Sequence, residues 1–114
     1  MVERGDGKII NIASGGGLRG GPMSSAYSSS KAGLIALTQS LAEEIRHLRI
    51  NVNVVCPGPV RTEMFDAITP ELRAKIEGDI MEPEDVANVV VFLASEASKA
   101  INGQIIPIRN RVRW

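Results

Sequence analysis

Residues 26–48, AYSSSKAGLIALTQSLAEEIRHL, decide how the rest of the chain is read. Leu34, Leu37, Leu41, Ile45 and Leu48 recur at spacings of three and four, which predicts an amphipathic helix of roughly six turns. Ser24 or Ser25 is suited to cap its start, and Glu43 and Glu44 face outward. On its amino side, residues 8–13, KIINIA, are apolar and β-branched between glycines and read as a buried strand. On its carboxyl side, residues 50–55, INVNVV, are a second strand, stopped by CPGP.

The remaining elements follow outward from this β-α-β unit. Thr69-Pro70 is a helix-start signal, giving a short helix to about Glu77 that ends at Gly78. Pro83 with Glu84 and Asp85 opens another helix with acids at its positive end. Its body, VANVVVFLA, is apolar nearly all round and is expected to be largely buried. Asn102-Gly103 turns into a last strand, QIIPI, where Pro107 argues for an edge or a strand end. The order β-α-β-α-α-β, with crossovers of this length, predicts an α/β fold. It is a three-stranded parallel sheet with right-handed connections and helices on both faces, a partial Rossmann-like arrangement.

Composition sets bounds on function. The 114 residues fit one domain, 1–114, and 44% are hydrophobic, as in an ordinary globular protein. Thirteen basic and thirteen acidic residues cancel, so net charge gives no case for nucleic acid or an acidic membrane. Arg109, Arg111 and Arg113 cluster in the terminal RNRVRW, which reads as a solvated basic tail. Cys56 is the only cysteine, so an internal disulfide and a cysteine metal cluster are excluded; a small buried residue is expected there. The polar start MVERGDG is unlike a signal peptide, and no apolar run reaches membrane-spanning length, so a reduced cytoplasmic protein is expected. His47, near a helix end, reads as a surface residue.

Gly15, Gly17 and Gly20 satisfy G-x-G-x-x-G after a strand, the pattern of a dinucleotide loop. The context disagrees. In that fingerprint the helix opens within the glycines, so that its amides meet the pyrophosphate. Here Gly21, Pro22 and two serines intervene before the long helix, and the next strand ends in Cys56-Pro57-Gly58 rather than near an acid. The glycine run therefore reads as a loop over residues 14–25.

Tyr27 and Lys31 stand four apart, on one face of the predicted helix. An ordinary tyrosine, with a pKa of about 10, is a poor acid or base near neutrality. An ammonium about 4 Å away, at an effective dielectric of about 20, favours the phenolate by about 4 kcal/mol before desolvation. That is enough to make the phenol useful in general acid-base work. Ser14, at the tip of the preceding strand, can hold a substrate oxygen by hydrogen bond. A bare Y-x-x-x-K match is most often helix surface; the serine thirteen residues upstream, across a strand-to-helix loop, makes this one different.

With GKIINIAS, AYSSSKAGLIALTQSLAEEI, INVNVVCPGPVRTEM and EPEDVANVVVFLAS in place, the chain resembles the carboxyl-terminal half of a short-chain dehydrogenase/reductase. The resemblance implies an NAD(P)-dependent oxidoreductase that interconverts carbonyl and alcohol. In it Ser14 orients the substrate oxygen, Tyr27 exchanges the proton, and Lys31 holds the nicotinamide ribose and assists the tyrosine. It also implies that Pro57, Gly58, Val60 and Thr62 line the nicotinamide end of NAD or NADP. The Val60 main chain would meet the carboxamide, and the Thr62 hydroxyl the carboxamide or a phosphate. Met64, Phe65, Ile68, Leu72 and Ile76 fit a lid over an apolar substrate, or simple packing. Such chains also carry a TGxxxGxG loop, an Asn-Asn-Ala-Gly-like stretch, a PLGRMG-like segment and a Val-Asp-Gly-Gly-like end. None of these occurs here. The expectation is a fragment whose strand 8–13 exposes an edge, so that it forms a homo-oligomer or associates through that edge. The alternative is a non-catalytic remnant acting as an association module.

Overall fold

The computed structural model describes residues 1–62, 68–71, 74, 78 and 80–110. Strand β1 spans Asp6–Ile12, helix α1 Gly15–Leu18, helix α2 Ser25–Glu44 and strand β2 Arg49–Pro57. Helix α3 spans Pro83–Ala94, a 3-10 turn Glu96–Ser98, and strand β3 Ile105–Ile108. The three strands form one parallel sheet in the order β1-β2-β3, with helices on both faces, as the sequence leads one to expect.

β2 is the centre of the molecule because it is apolar on both sides. Val52, Val54, Val55 and Cys56 are all completely buried. Alternation along β2 sends Ile50, Val52, Val54 and Cys56 toward α2, where they meet Ala42 and Ile35 in two adjoining clusters with Ile9, Leu34, Leu41 and Ile105. Thr38, fully buried in α2, accepts from Asn11 Nδ2 at 2.9 Å and donates to the Leu34 carbonyl, so its hydroxyl is satisfied inside the core.

Two asparagines, buried Asn53 and half-buried Asn102, lock the far end of the sheet. Asn53 donates to the Ile101 carbonyl and accepts from the Gln104 N–H, both at 3.0 Å. Asn102 accepts from the Val52 N–H at 2.8 Å, and Gly103 turns the chain with φ 68°. These bonds fix the register in which Val54 pairs with Ile105 and Pro57 with Ile108.

Four expectations need correction. Residues 14–25 are not simply a loop: Gly15–Leu18 form a helical turn, because Ser14 caps it and the glycines let it sit against α2. The long helix stops at Glu44, after which Ile45–Leu48 tighten into turns. β1 is half-buried rather than fully buried, being paired on one side only among the described residues. Helix α3 buries only Leu93 completely; Val91 is 68% exposed and Phe92 44%, since a three-stranded sheet is too narrow to cover an all-round apolar helix. His47 is exposed and Cys56 buried, as expected. Pro70, Glu71 and Ala74 are helical, in keeping with the Thr69-Pro70 start signal. Met64, Phe65, Leu72, Ile76, Arg111 and Arg113 lie outside the described residues.

Candidate active site

The site forms where β1 and β2 end, the place at which open α/β sheets present a crevice. Two chain reversals build it. In the first, the Ala13 N–H donates to the Val55 carbonyl at 2.8 Å, and Ser14 then leaves the sheet in extended conformation to cap α1. Ser14 Oγ accepts from the Gly16 N–H at 3.1 Å. One acceptor position of that oxygen is thereby filled while its own O–H stays available to donate into the crevice. In the second, Pro57-Gly58 ends β2, and the Gly58 N–H donates to the Ile108 carbonyl at 2.9 Å, fixing the opposite wall.

Tyr27 lies in the first turn of α2, whose start Ser24 marks without a side-chain cap bond; Ser24 Oγ donates instead to the Gly21 carbonyl at 2.8 Å. Tyr27 is 52% exposed and lines the crevice. A Cβ placed on Gly16 would stand 3.1 Å from the Tyr27 ring and 3.6 Å from Ser14 Oγ, so the ring and the hydroxyl flank one glycine. Lys31 Nζ sits 5.7 Å from the centroid of the Tyr27 ring, within cation–π range. The four-residue spacing on α2 thus sets the Lys31 ammonium beside the Tyr27 ring, and Ser14 Oγ lies near the same glycine as that ring.

Glycine in α1 has a packing reason. A Cβ on Gly17 would lie 2.8 Å from the Lys31 backbone carbon and 2.9 Å from the Ala32 nitrogen. Only a bare Cα lets α1 rest directly on α2 at Lys31. A helix does open within the glycine run, contrary to the premise drawn from the sequence, but it is a single turn pressed against the Tyr27–Lys31 helix.

A cavity of about 630 Å³ joins these pieces. Ser14 and Tyr27 line one side and Pro57, Gly58, Val60 and Thr62 the other. Every site residue expected from the sequence therefore borders it except Lys31, which stands beside the tyrosine ring. Ile68 borders it too. Val60 is held by a parallel bridge to Met81, in which the bonds are made by its neighbours: Met81 N–H to the Pro59 carbonyl and Arg61 N–H to the Met81 carbonyl, both 2.8 Å. Among the described residues the Val60 N–H and C=O make no hydrogen bond, leaving a donor and an acceptor on the cavity wall. Such a pair suits a carboxamide, so the wall fits the nicotinamide end of a dinucleotide.

Among the lining residues that sequence reasoning did not name are the two charged ones, Arg19 and Arg109. Arg19 follows α1, and Arg109 follows β3, where its stem packs over Gly58: a Cβ there would be 3.3 Å from Arg109 Cγ. The parallel pairing of Pro57 with Ile108 puts Arg109 beside the turn; a linear reading of RNRVRW as a tail hides that neighbour. Beneath the site, Cys56 is wholly buried, and burial pushes its thiol up from the ordinary value of 9.0 against a smaller lowering by the Ser14 N–H.

Comparison with known proteins shows the family. The family described as "Enoyl-(Acyl carrier protein) reductase" matches residues 1–109. The chain is 43% identical over 113 residues to the 3-oxoacyl-[acyl-carrier-protein] reductase FabG of Rickettsia bellii, covering 95% of this chain and 47% of that protein. It superposes on a short-chain type dehydrogenase/reductase from Mycobacterium ulcerans with TM-score 0.87 and 31% identity, over 95% of this chain and 42% of that one. An actinorhodin polyketide ketoreductase solved with NADPH gives TM-score 0.85 and 33% identity, over 95% and 48%. The chain spans about half the length of the curated relatives it matches. Matched along nearly all its length in sequence and in fold, the chain belongs to the short-chain dehydrogenase/reductase family.

Proposed function

We propose that this chain carries the proton-transfer site of an NAD(P)-dependent reductase acting on a small carbonyl compound, or in reverse on the alcohol. The observation that carries the reading is the meeting of Ser14 Oγ and the Tyr27 ring around Gly16, with Lys31 Nζ 5.7 Å from the ring centroid, at the mouth of a cavity walled by Pro57 and Gly58. A bound nicotinamide would supply or accept hydride at the carbonyl carbon.

The chain's own residues do the rest. Ser14, its acceptor side held by Gly16, donates its O–H to the substrate oxygen and fixes the orientation of the carbonyl. Tyr27 gives that oxygen a proton during reduction and takes one back during oxidation. Lys31 keeps positive charge against the ring on which negative charge develops as the proton leaves. The Val60 N–H and C=O would meet the carboxamide, with Gly58 and Thr62 beside it. Calorimetric titration with NADH and NADPH tests the reading. Binding, together with carbonyl turnover that Tyr27→Phe abolishes, is the expected result. No binding at millimolar dinucleotide would remove the claim for this chain acting alone.

A second reading, association through the β1 edge, is favoured by a different observation. Among the described residues β1 is paired on one side only; Ile12 on it is exposed, as are Val91 and Phe92 on α3. Sedimentation over a concentration series separates a self-associating chain from a clean monomer.

A further inference from the structure

Ser14 hangs from β1 and Tyr27 rides on α2, so the distance between them depends on how the helix sits on the strand. On the face of β1 turned to α2, Ile9 and Ala13 join the apolar clusters, and Asn11 stands between them. Asn11 Nδ2 donates to Thr38 Oγ1 at 2.9 Å, and Thr38 gives its own proton to the Leu34 carbonyl at 2.9 Å. With that proton committed, the Thr38 oxygen can only accept, so it is the amide nitrogen of Asn11 that meets it. Thr38 is fully buried, which keeps bulk water from that oxygen. Among the described residues this is the one hydrogen bond that joins β1 to α2. Apolar contact is non-directional, whereas a hydrogen bond weakens steeply as it bends. The pair is also well placed along both elements. Asn11 precedes Ser14 by three residues, and Thr38 follows Lys31 by about two helical turns and Tyr27 by about three, on the same stripe of the helix.

We propose that Asn11 and Thr38 are the positioning pair of this site: their hydrogen bond fixes the slide and roll of α2 on β1, and thereby where the Tyr27 ring stands relative to Ser14. The contact of Gly17 with Lys31 sets how closely α1 approaches the helix; the Asn11–Thr38 bond sets where along the strand that helix lies. The effect on turnover rests on the reductase reading; the placement of the ring is a property of the fold itself.

Tyr27 is the only tyrosine, so ring-labelled tyrosine reports this one ring in the NMR spectrum of the 114-residue chain. A Cβ on Gly16 would stand 3.1 Å from the ring, so the Gly16 α-proton in that direction gives a nuclear Overhauser effect to it. Thr38→Val keeps the side chain's shape and removes the hydroxyl. Asn11→Leu with Thr38→Val replaces both polar groups, leaving neither without a partner. In folded chains, checked by circular dichroism, the Tyr27–Gly16 effect is expected to be lost in both variants and kept in Thr38→Ser. Ser98→Ala, which removes a buried hydroxyl bonded to the Leu93 and Ser95 carbonyls away from the cavity, is expected to keep it. Where the unaltered chain turns over a carbonyl, kcat in the double variant should fall about 10²-fold with little change in KM, and recover in Thr38→Ser. A Tyr27–Gly16 effect that persists in the double variant, or an equal loss in Ser98→Ala, overturns the proposal. If Thr38→Val does not fold, the double variant and Asn11→Ala, at a half-buried position, decide by the same effect. Loss of the effect in the variants, with no turnover in the unaltered chain, leaves this proposal standing and removes the reductase reading. Turnover in the unaltered chain, with the effect intact in every variant, does the reverse.

Discussion

Tyr27 and Ser14 sit on different elements, so single substitutions separate their duties. Tyr27→Phe keeps the ring that faces Lys31 and removes only the hydroxyl, so stability is expected to hold while turnover falls by about 10²–10⁴-fold. Ser14→Ala is different, because the same oxygen caps α1 through the Gly16 N–H. It should cost about 1 kcal/mol of stability as well as activity, measured by denaturant unfolding beside the rate. A stable but inactive Ser14→Ala chain would mean the cap contributes nothing. Cys56, directly beneath, titrates with a sign that can be worked out. Its folded value is raised by burial, so its contribution to stability is complete below the unfolded value and is lost as pH rises through the folded one. Unfolding curves taken from about pH 7 to about pH 10.5 should therefore decline on the alkaline side in the unaltered chain and decline less in Cys56→Ala. Parallel declines would assign the loss to other groups.

At the scale of elements, the tight contact is α1 on α2. Gly17→Ala drives a methyl to within 2.8 Å of the Lys31 backbone, which no side-chain rotation can relieve. The two helices must separate, at a cost of about 1–3 kcal/mol, and Ser14 moves away from Tyr27 as they do. Loss of stability and of turnover together is the expected outcome, read by thermal unfolding and rate; Gly20→Ala, with nothing within 4 Å of its Cβ position, is the control. The same contact explains what the sequence could and could not convey. Strands and long helices were legible because their patterns repeat: valine at every second place in β2, leucine every three or four in α2. Tyr27 and Lys31 were legible for the same reason. α1 was not, since three consecutive glycines are poor helix formers that outweigh one leucine, and the turn forms only because Ser14 caps it and α2 receives it. Arg109 was hidden because parallel pairing joins positions some fifty residues apart, Pro57 with Ile108, and no local pattern records that neighbour.

The whole molecule is a thin sheet with one well-covered strand. Its radius of gyration is 15.5 Å, against about 13 Å for a compact domain of this length, and its extents are 49 × 27 × 24 Å. β2 has neighbours on both sides, whereas among the described residues β1 offers an open row of backbone donors and acceptors. The face of β1 turned away from α2 carries Ile12, 45% exposed, and α3 adds Val91 and Phe92. An open edge on a chain with exposed apolar side chains is the arrangement that natural sheets guard against with charge or proline. Neither guards β1 here: its charged residues, Asp6 and Lys8, sit at its start, and Lys8 is engaged with Asn51 at 3.0 Å. Sedimentation velocity should therefore show the weight-average mass rising with concentration. Ile12→Lys with Val91→Lys places charge beside the edge without touching the β2 core, so the double variant should stay monomeric with unchanged circular dichroism. A native chain that stays monomeric across the whole concentration series would show that the edge is protected and would remove the association reading.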